Sequence, residues 1–208
     1  QNSCFFNVSI DDTEDPVISG SASSETVSSN NGGCGYDVSG GEYDPTTVTD
    51  NCSIDRITYT VNGGAEVGTD ETTSLDGVTL SGGANNIVWT AYDINGNSNT
   101  WSFTITVQDD EAPTFNNCPT DQNLATNSGD CNAVLPDYVS SLTVTADDNC
   151  TAPASISIVQ SPIAGTTLSG GHNSTQLVTI TADDGNGNTA DCSFTVTVKD
   201  ETNPTIVN

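Results

Sequence analysis

Positive charge is nearly missing from this chain of 208 residues: Arg56 and Lys199 are its only basic side chains, set against 28 acidic ones, for a net charge of -26. A surface of that sign repels polyphosphates and anionic headgroups. It excludes nucleic acid and acidic membrane surfaces as partners and leaves cations as the natural ones. Methionine is absent altogether, and no apolar run reaches the length of a secretory leader or a membrane span. The expectation is a segment from inside a mature, exported polypeptide. Histidine occurs once, as His172 in a Gly-Gly-His-Asn stretch, so a catalytic triad or a histidine-based metal site lacks its main component and no enzyme is expected. His172 reads as an exposed loop residue. Apolar residues at a 3.6-residue spacing are lacking too, and no helix is expected.

Cysteine, by contrast, is plentiful. Seven cysteines without a zinc-type Cys-x-x-Cys pair belong in an oxidising, extracellular compartment, because cytosolic thiols are kept reduced.

One motif occurs three times with identical internal spacing: Phe6 to Pro16 (FNVSIDDTEDP), Phe103 to Pro113 (FTITVQDDEAP) and Phe194 to Pro204 (FTVTVKDETNP). Each copy is an alternating strand, an acidic hinge and a proline. The chain therefore divides into the last strand of a preceding repeat (1–10), two whole repeats (11–108 and 109–199) and the start of another (200–208). Inside each whole repeat, Asp50-Asn51-Cys52 answers Asp148-Asn149-Cys150, and Asp93-Ile-Asn95-Gly-Asn97 answers Asp184-Gly-Asn186-Gly-Asn188. The second pair lies between two alternating runs and reads as the turn of a final hairpin, with Gly and Asn supplying positive φ. Short alternating runs throughout predict an all-β chain of tandem immunoglobulin-like antiparallel β-sandwiches, about seven strands each. Trp89, Trp101, Phe103 and Phe194 fall on inward positions and are expected in the cores.

The two unequal copies allow the disulfides to be read by difference. The second repeat has Cys118, Cys131, Cys150 and Cys192; the first has Cys34 and Cys52 opposite Cys131 and Cys150, but Ser21 and Trp101 opposite Cys118 and Cys192. Two positions lost together suggest one bond. The expected pairs are Cys34–Cys52, Cys131–Cys150 and Cys118–Cys192, with Trp101 filling the space of the missing bridge. Cys4, opposite Cys192, would pair outside the chain; the alternative is that Cys4 or Cys118 is free or bridges chains.

In a sandwich of this type the hinge, the middle loop and the last hairpin turn lie at one end. That gathers Asp11, Asp12, Glu14, Asp50, Asn51, Asp93, Asn95 and Asn97 in the first repeat, and Asp109, Asp110, Glu111, Asp147, Asp148, Asn149, Asp184, Asn186 and Asn188 in the second. An oxygen-only set of this kind suits Ca²⁺, which takes six to eight hard ligands in flexible geometry. Without a cation the carboxylates repel one another by up to about 4 kcal/mol per close pair at an effective dielectric of 20. An ion would turn the repulsion into an inter-domain clamp. The same residue types also serve plain turns.

Asp110-Glu-Ala-Pro113, Cys118-Pro119, Asp148-Asn-Cys150, Asp184-Gly-Asn-Gly-Asn188 and Cys192 to Val198 (CSFTVTV) together resemble the hyalin repeat, an immunoglobulin-like extracellular module. The match covers the second repeat throughout and the first loosely. The Thr-, Asp- and Gly-rich style resembles giant surface adhesins of gliding bacteria exported by the type IX system. That resemblance implies a filamentous, cell-surface stalk whose partners are neighbouring repeats, laterally associated copies, and an extracellular surface or glycan. Binding through the loops of these domains themselves, or service as an accessory module of a secreted hydrolase, are the alternatives.

Overall fold

A computed structural model describes residues 4–30 and 32–204. The chain divides into two compact units, Gln1–Asp109 and Asp110–Asn208. No helix among the described residues is long and apolar enough to cross a membrane.

The first unit has strands β1 (Val17–Ser19), β2 (Glu25–Ser28), β3 (Gly35–Asp37), β4 (Thr47–Thr49), β5 (Ile54–Val61), β6 (Thr79–Ser81), β7 (Gly83–Asp93) and β8 (Ser98–Gln108). A four-stranded sheet runs β2-β8-β7-β5, and the pairs β1-β4 and β3-β6 form the other layer. The second unit repeats this topology with β9 (Thr114–Phe115), β10 (Gln122–Ala125), β11 (Ala133–Val134), β12 (Ala146–Asp147), β13 (Ser157–Ser161), β14 (Thr167–Leu168), β15 (Thr175–Asp183) and β16 (Thr189–Lys199). Its large sheet is β10-β16-β15-β13, and its small pairs are β9-β12 and β11-β14. The all-β sandwich is thus as the alternating runs predict.

Two details differ from expectation. The edge strands β2 and β10 run parallel to the final strands β8 and β16. Each chain begins in the small layer as β1 or β9 and then switches sheets, which lays the next strand alongside the last one. A short helix also forms, α1 (Tyr138–Ser141), because Asp137 caps it by accepting from the Ser140 amide. One turn of helix is too short to leave a periodic apolar stripe.

Alternation sets the core. On β7 the inward residues are Asn85, Ile87, Trp89, Ala91 and Asp93, all buried. Opposite them on β8 stand Phe103, Ile105 and Val107. Ile18, Val38, Leu75 and Leu80 close the core from the other side. Trp89 is fully buried and its indole N–H donates to the Tyr43 carbonyl at 3.0 Å, so its polar edge is satisfied. In the second unit Val178, Ile180, Phe194 and Val196 hold the equivalent places.

Cys118 and Cys192 are joined, with Cα atoms 5.8 Å apart. In the first unit the Trp101 ring stacks near Phe103 at 4.8 Å between centroids. It also lies across Gly20, where an added Cβ would fall 2.2 Å from the ring. Gly20 adjoins Ser21, the counterpart of Cys118, so the indole occupies the ground of the bridge.

The other two expected pairings do not form: Cys52 and Cys131 are free thiols, while Cys34 and Cys150 are disulfide-bonded. The reason is length. Cys34 lies in the Asn30–Gly35 turn beside Gly82, just before β7 begins. Cys52 lies beside Asp12 and Asp50, at the end where β7 finishes. The intervening strand has 11 residues, or about 35 Å at strand rise, whereas a disulfide needs Cα atoms within about 7 Å. Cys131 is likewise next to Gly171, ahead of β15, and Cys150 next to Thr151, which bonds Asp184 after β15.

Trp101→Ala is expected to cost the first unit about 3 kcal/mol, read by faster hydrogen exchange of β7 and β8 amides with those of β15 and β16 as internal reference. Cys118→Ser should instead destabilise the second unit by about 4 kcal/mol, given the sequence separation of 74 residues that the bond spans.

Candidate functional site

The acidic motifs meet at one end of each repeat because the core-facing row of the penultimate strand ends in an acid. Ile87, Trp89 and Ala91 lead to Asp93; Val178, Ile180 and Ala182 lead to Asp184. Asp93 is 2% exposed and Asp184 4%. Each then caps its own hairpin turn. Asp93 Oδ1 accepts from the amides of Asn95, Gly96 and Asn97 at 2.9, 2.6 and 2.8 Å, and Oδ2 accepts from Asn97 Nδ2 at 2.6 Å. Asp184 Oδ1 accepts from Asn186 and Asn188 amides at 2.7 and 3.1 Å, and Oδ2 from Asn188 Nδ2 at 2.7 Å. Burial pushes both carboxyls up, but these bonds favour the ionised form and leave both below the usual aspartate value.

The middle loop adds a second acid in the same way in both repeats. Asp50 Oδ1 accepts from the Cys52 and Ser53 amides at 2.8 and 3.2 Å; Asp148 Oδ1 accepts from Cys150 and Thr151 at 2.8 and 2.7 Å. With one oxygen fixed by the turn, the other is directed inward. Asp50 Oδ2 and Asp148 Oδ2 are both buried and have no hydrogen-bond partner.

The hinge supplies the third. Asp12 Oδ1 accepts from the Glu14 amide at 3.1 Å, its Oδ2 from Asn95 Nδ2 at 3.0 Å, and its carbonyl from Asn97 Nδ2 at 3.3 Å. Asn51 Nδ2 donates to Glu14 at 2.9 Å. The amide of Glu14 is the largest of the effects holding the Asp12 carboxyl below its ordinary value, followed by the Cys52 thiol. That same bond with Asp12 is the largest of those pushing the Cys52 thiol up.

The result is a group formed by Asp12, Asp50 and Cys52, and another formed by Asp109, Asp148 and Asp184, each with ligand-type atoms within 4.8 Å of one another. Asp12 and Asp109 are counterparts in the threefold motif, and Asp50 and Asp148 are counterparts in the middle loop. Of the remaining expected residues, Asn95, Asn97 and Asn51 touch the first group through their amides. Asn186 reaches the second through Thr151, whose hydroxyl donates to the Asp184 carbonyl at 3.1 Å. Asp11 is exposed and accepts from Ser9. Asp110 and Asp147 are exposed, and Glu111 and Asn149 partly buried. Sequence reasoning missed the Cys52 thiol, although its position directly after Asp50-Asn51 was the available signal.

His172 is exposed, and its Nδ1 accepts from the Asp200 amide at 3.0 Å.

Because Asp93 and Asp184 have lowered values when folded, their contribution to stability is complete above the ordinary aspartate value of 3.8 and is lost as pH falls through the folded values below it. Acid titration followed by near-ultraviolet circular dichroism should show this loss below about pH 4. Asp93→Ala, which orphans the turn amides, should cost the first unit about 2 to 3 kcal/mol at neutral pH.

No curated protein matches the chain. Among solved structures, Drosophila N-cadherin EC1-4 is 16% identical over 90% of this chain and 50% of that one, with a TM-score of 0.41. The fibronectin(III)-like modules of Clostridium thermocellum CbhA are 13% identical over 93% of this chain and 100% of that one, with a TM-score of 0.31. Extracellular cadherin domains 1-5 of protocadherin gamma B2 are 16% identical over 93% and 42%, with a TM-score of 0.38. The chain spans half the length of the N-cadherin chain it matches. Residues 108–198 match the HYR domain, which supports the reading of the second repeat as a hyalin repeat, an extracellular module.

Proposed function

We propose that the chain is a stalk segment of a secreted, filamentous surface adhesin, in which Ca²⁺ held at the hinge end of each repeat stiffens the filament. The observation that carries this reading is the recurrence, at equivalent positions of two repeats, of a buried aspartate oxygen without a partner, Asp50 Oδ2 and Asp148 Oδ2, inside a group of acids. A buried carboxylate oxygen left unpaired costs free energy in each repeat. A cation recovers that cost in both places at once, whereas turn formation needs only the Oδ1 atoms.

The carboxylates of both groups fit Ca²⁺: the second group contains hard oxygens alone, and the first offers those of Asp12 and Asp50 beside the Cys52 thiol. Asp12 and Asp50 would hold the ion in the first repeat, and Asp109, Asp148 and Asp184 in the second. Bound there, Ca²⁺ supplies charge neutralisation and a tie between hinge and domain. Asp93 acts from behind by fixing the hairpin turn against Asp12 through Asn95 and Asn97.

Residues 4–10 serve as the closing strand of a preceding repeat. Phe6 and Ile10 are 84% and 94% exposed where their counterparts Phe103 and Val107 are buried. A chain of such repeats, each with its cation, holds an adhesive element at a distance. The composition resembles that of gliding-bacterial adhesins exported by the type IX system, and surface attachment in gliding is the role we assign.

Calorimetric titration of Ca²⁺ into chelator-treated protein is expected to give two sites of micromolar to millimolar affinity, with a longer, stiffer particle in small-angle scattering. Asp50→Asn and Asp148→Asn should each abolish one site, and the double variant both. No heat and no change of shape would reduce the acidic motifs to turns.

A further inference from the structure

The large sheet of each unit ends on one side at the strand that follows the middle loop, β5 in the first unit and β13 in the second. Ile57 stands opposite Ala91 and Ile158 opposite Ala182. Ile57 and Ile158 are therefore counterparts, followed by Thr58 and Val159 and then by Tyr59 and Gln160. A strand in this place presents a row of backbone N–H and C=O groups that another strand can take up. The two repeats treat that edge differently. In the first, residues 62–78 fold back over it: the Tyr59 amide donates to the Val67 carbonyl at 2.8 Å, the Val67 amide donates to Tyr59 at 2.9 Å, and the Ile57 amide donates to Asp70 at 3.2 Å. Strand β5 also carries the charged pair Asp55 and Arg56, and its register is irregular between Ile54 and Arg56. Cover, charge and irregular pairing are the usual guards of an exposed edge.

The second repeat has none of these guards. Residues 162–166 alone connect β13 to β14, and among the described residues no backbone bond reaches Ser157 to Ser161 from the side away from β15. No Asp, Glu, Lys or Arg occurs anywhere from Asn149 to Ala182, whereas the matching stretch of the first repeat, 51–91, contains Asp55, Arg56, Glu66, Asp70, Glu71 and Asp76. Apolar side chains stand exposed here instead: Val159 is 57% exposed, Leu177 on the same face of neighbouring β15 59%, and Ile163 73%. The short helix does not cover the edge. It meets β13 through Gln160, whose Oε1 accepts from the Tyr138 amide at 2.7 Å. Between α1 and β13 is a groove of about 320 Å³, whose lining includes Val139, Ile158, Val159, Ile163 and Ala164. Asp137 lines it too, with its carboxylate engaged by the amide and hydroxyl of Ser140 at 3.1 and 2.7 Å.

We propose that β13 is a self-association edge, at which two copies of this chain pair β13 with β13 in antiparallel fashion about a twofold axis at Val159. Charge selects the occupant. At a net charge of -26, two copies repel wherever their acids face each other, and an uncharged edge is where they approach against least repulsion. An antiparallel strand is also its own complement under a twofold axis. The first unit fixes the register. Ile57 and Tyr59 point their amides away from β7 toward the covering segment, so the counterparts Ile158 and Gln160 point theirs toward the open side. Ile158 of each copy then exchanges backbone bonds with Gln160 of the other, and Val159 faces Val159 as a close pair without hydrogen bonds between them. The contact needs no cation and stands apart from the calcium reading.

The test uses the whole chain under reducing conditions, with chelator, at about 0.15 M salt so that distant charges are screened. Sedimentation over a range of concentrations should show a monomer–dimer equilibrium. Hydrogen exchange of the Ile158 and Gln160 amides should slow as the dimer fills, with the Ile57 and Tyr59 amides unchanged as internal reference. Val159→Lys and Val159→Glu each set like charges directly opposite one another, so either variant alone should dimerise at least about tenfold more weakly. Mixing the two sets Lys against Glu and should restore a mixed dimer, and near-ultraviolet circular dichroism checks that both variants stay folded. A chain that remains monomeric up to about 1 mM overturns the proposal, as does a dimer that neither variant weakens or a mixture that fails to recover. Slower exchange of the two amides only on adding a synthetic peptide of residues 4–10 would give the edge to that exposed segment and overturn the self-pairing as well.

Discussion

The long final hairpin constrains everything else in each repeat. Strands β7 and β8 pair over Gly83 to Tyr92, and β15 and β16 over Thr175 to Asp183, so that two strands span the sandwich from one end to the other. Their inward rows furnish most of the core. Their turn fixes where the hinge is met, and their length decides which side chains can never touch. An acid at the last inward position could only survive with its oxygens fully engaged, and the turn provides that engagement from its own amides. The same carboxylate that satisfies the turn thus holds Asn95 and Asn97 where they meet Asp12.

Two repeats with the same topology stabilise the edge of the sandwich by different means. In the second, a covalent bridge between Cys118 and Cys192 limits the unfolded chain, at an entropic gain of about 4 kcal/mol. In the first, the half-buried Trp101 lies against Gly20 and Phe103 and takes the place of the bridge by contact. Glycine at position 20 is required by this arrangement, since any Cβ there would collide with the ring. The exchange removes one disulfide without removing a strand, so the topology is indifferent to which device is used.

Much of this was legible in the sequence. The threefold hinge motif, the alternating runs and the Gly-Asn turns are local signals, and each reports on neighbours within a few residues or on the face of a strand. The meeting of Asp12 with Asp50, and of Asp12 with the hairpin turn through Asn95 and Asn97, is in line with placing those local signals on a sandwich. The cysteine pairing did not follow, because matching Cys34 with Cys131 and Cys52 with Cys150 says that positions are equivalent and says nothing of how far apart they lie along the hairpin. Spacing in sequence between Cys34 and Cys52 is short, but the chain crosses the domain between them. The parallel edge strands and the Asp137-capped turn of helix were invisible for a related reason: a switch of sheets and a single capped turn leave no periodic pattern.

The shortage of basic residues bears on how the acids at the hinge ends are neutralised. Arg56 is taken up by Asp55 and by the face of Tyr92, with its guanidinium 4.0 Å from the ring centroid, and Lys199 donates to Asn173. Neither basic side chain is spent on the hinge ends, so the counter-charge for the acids gathered there must come from solution. Diffuse counter-ions screen exposed charge over about 8 to 10 Å at ordinary ionic strength. The Oδ2 atoms of Asp50 and Asp148 are buried without a hydrogen-bond partner, and on the calcium reading proposed above an ion would meet them in direct contact. On that reading, an ion at each hinge end would cancel locally a charge that repels itself over the rest of the surface.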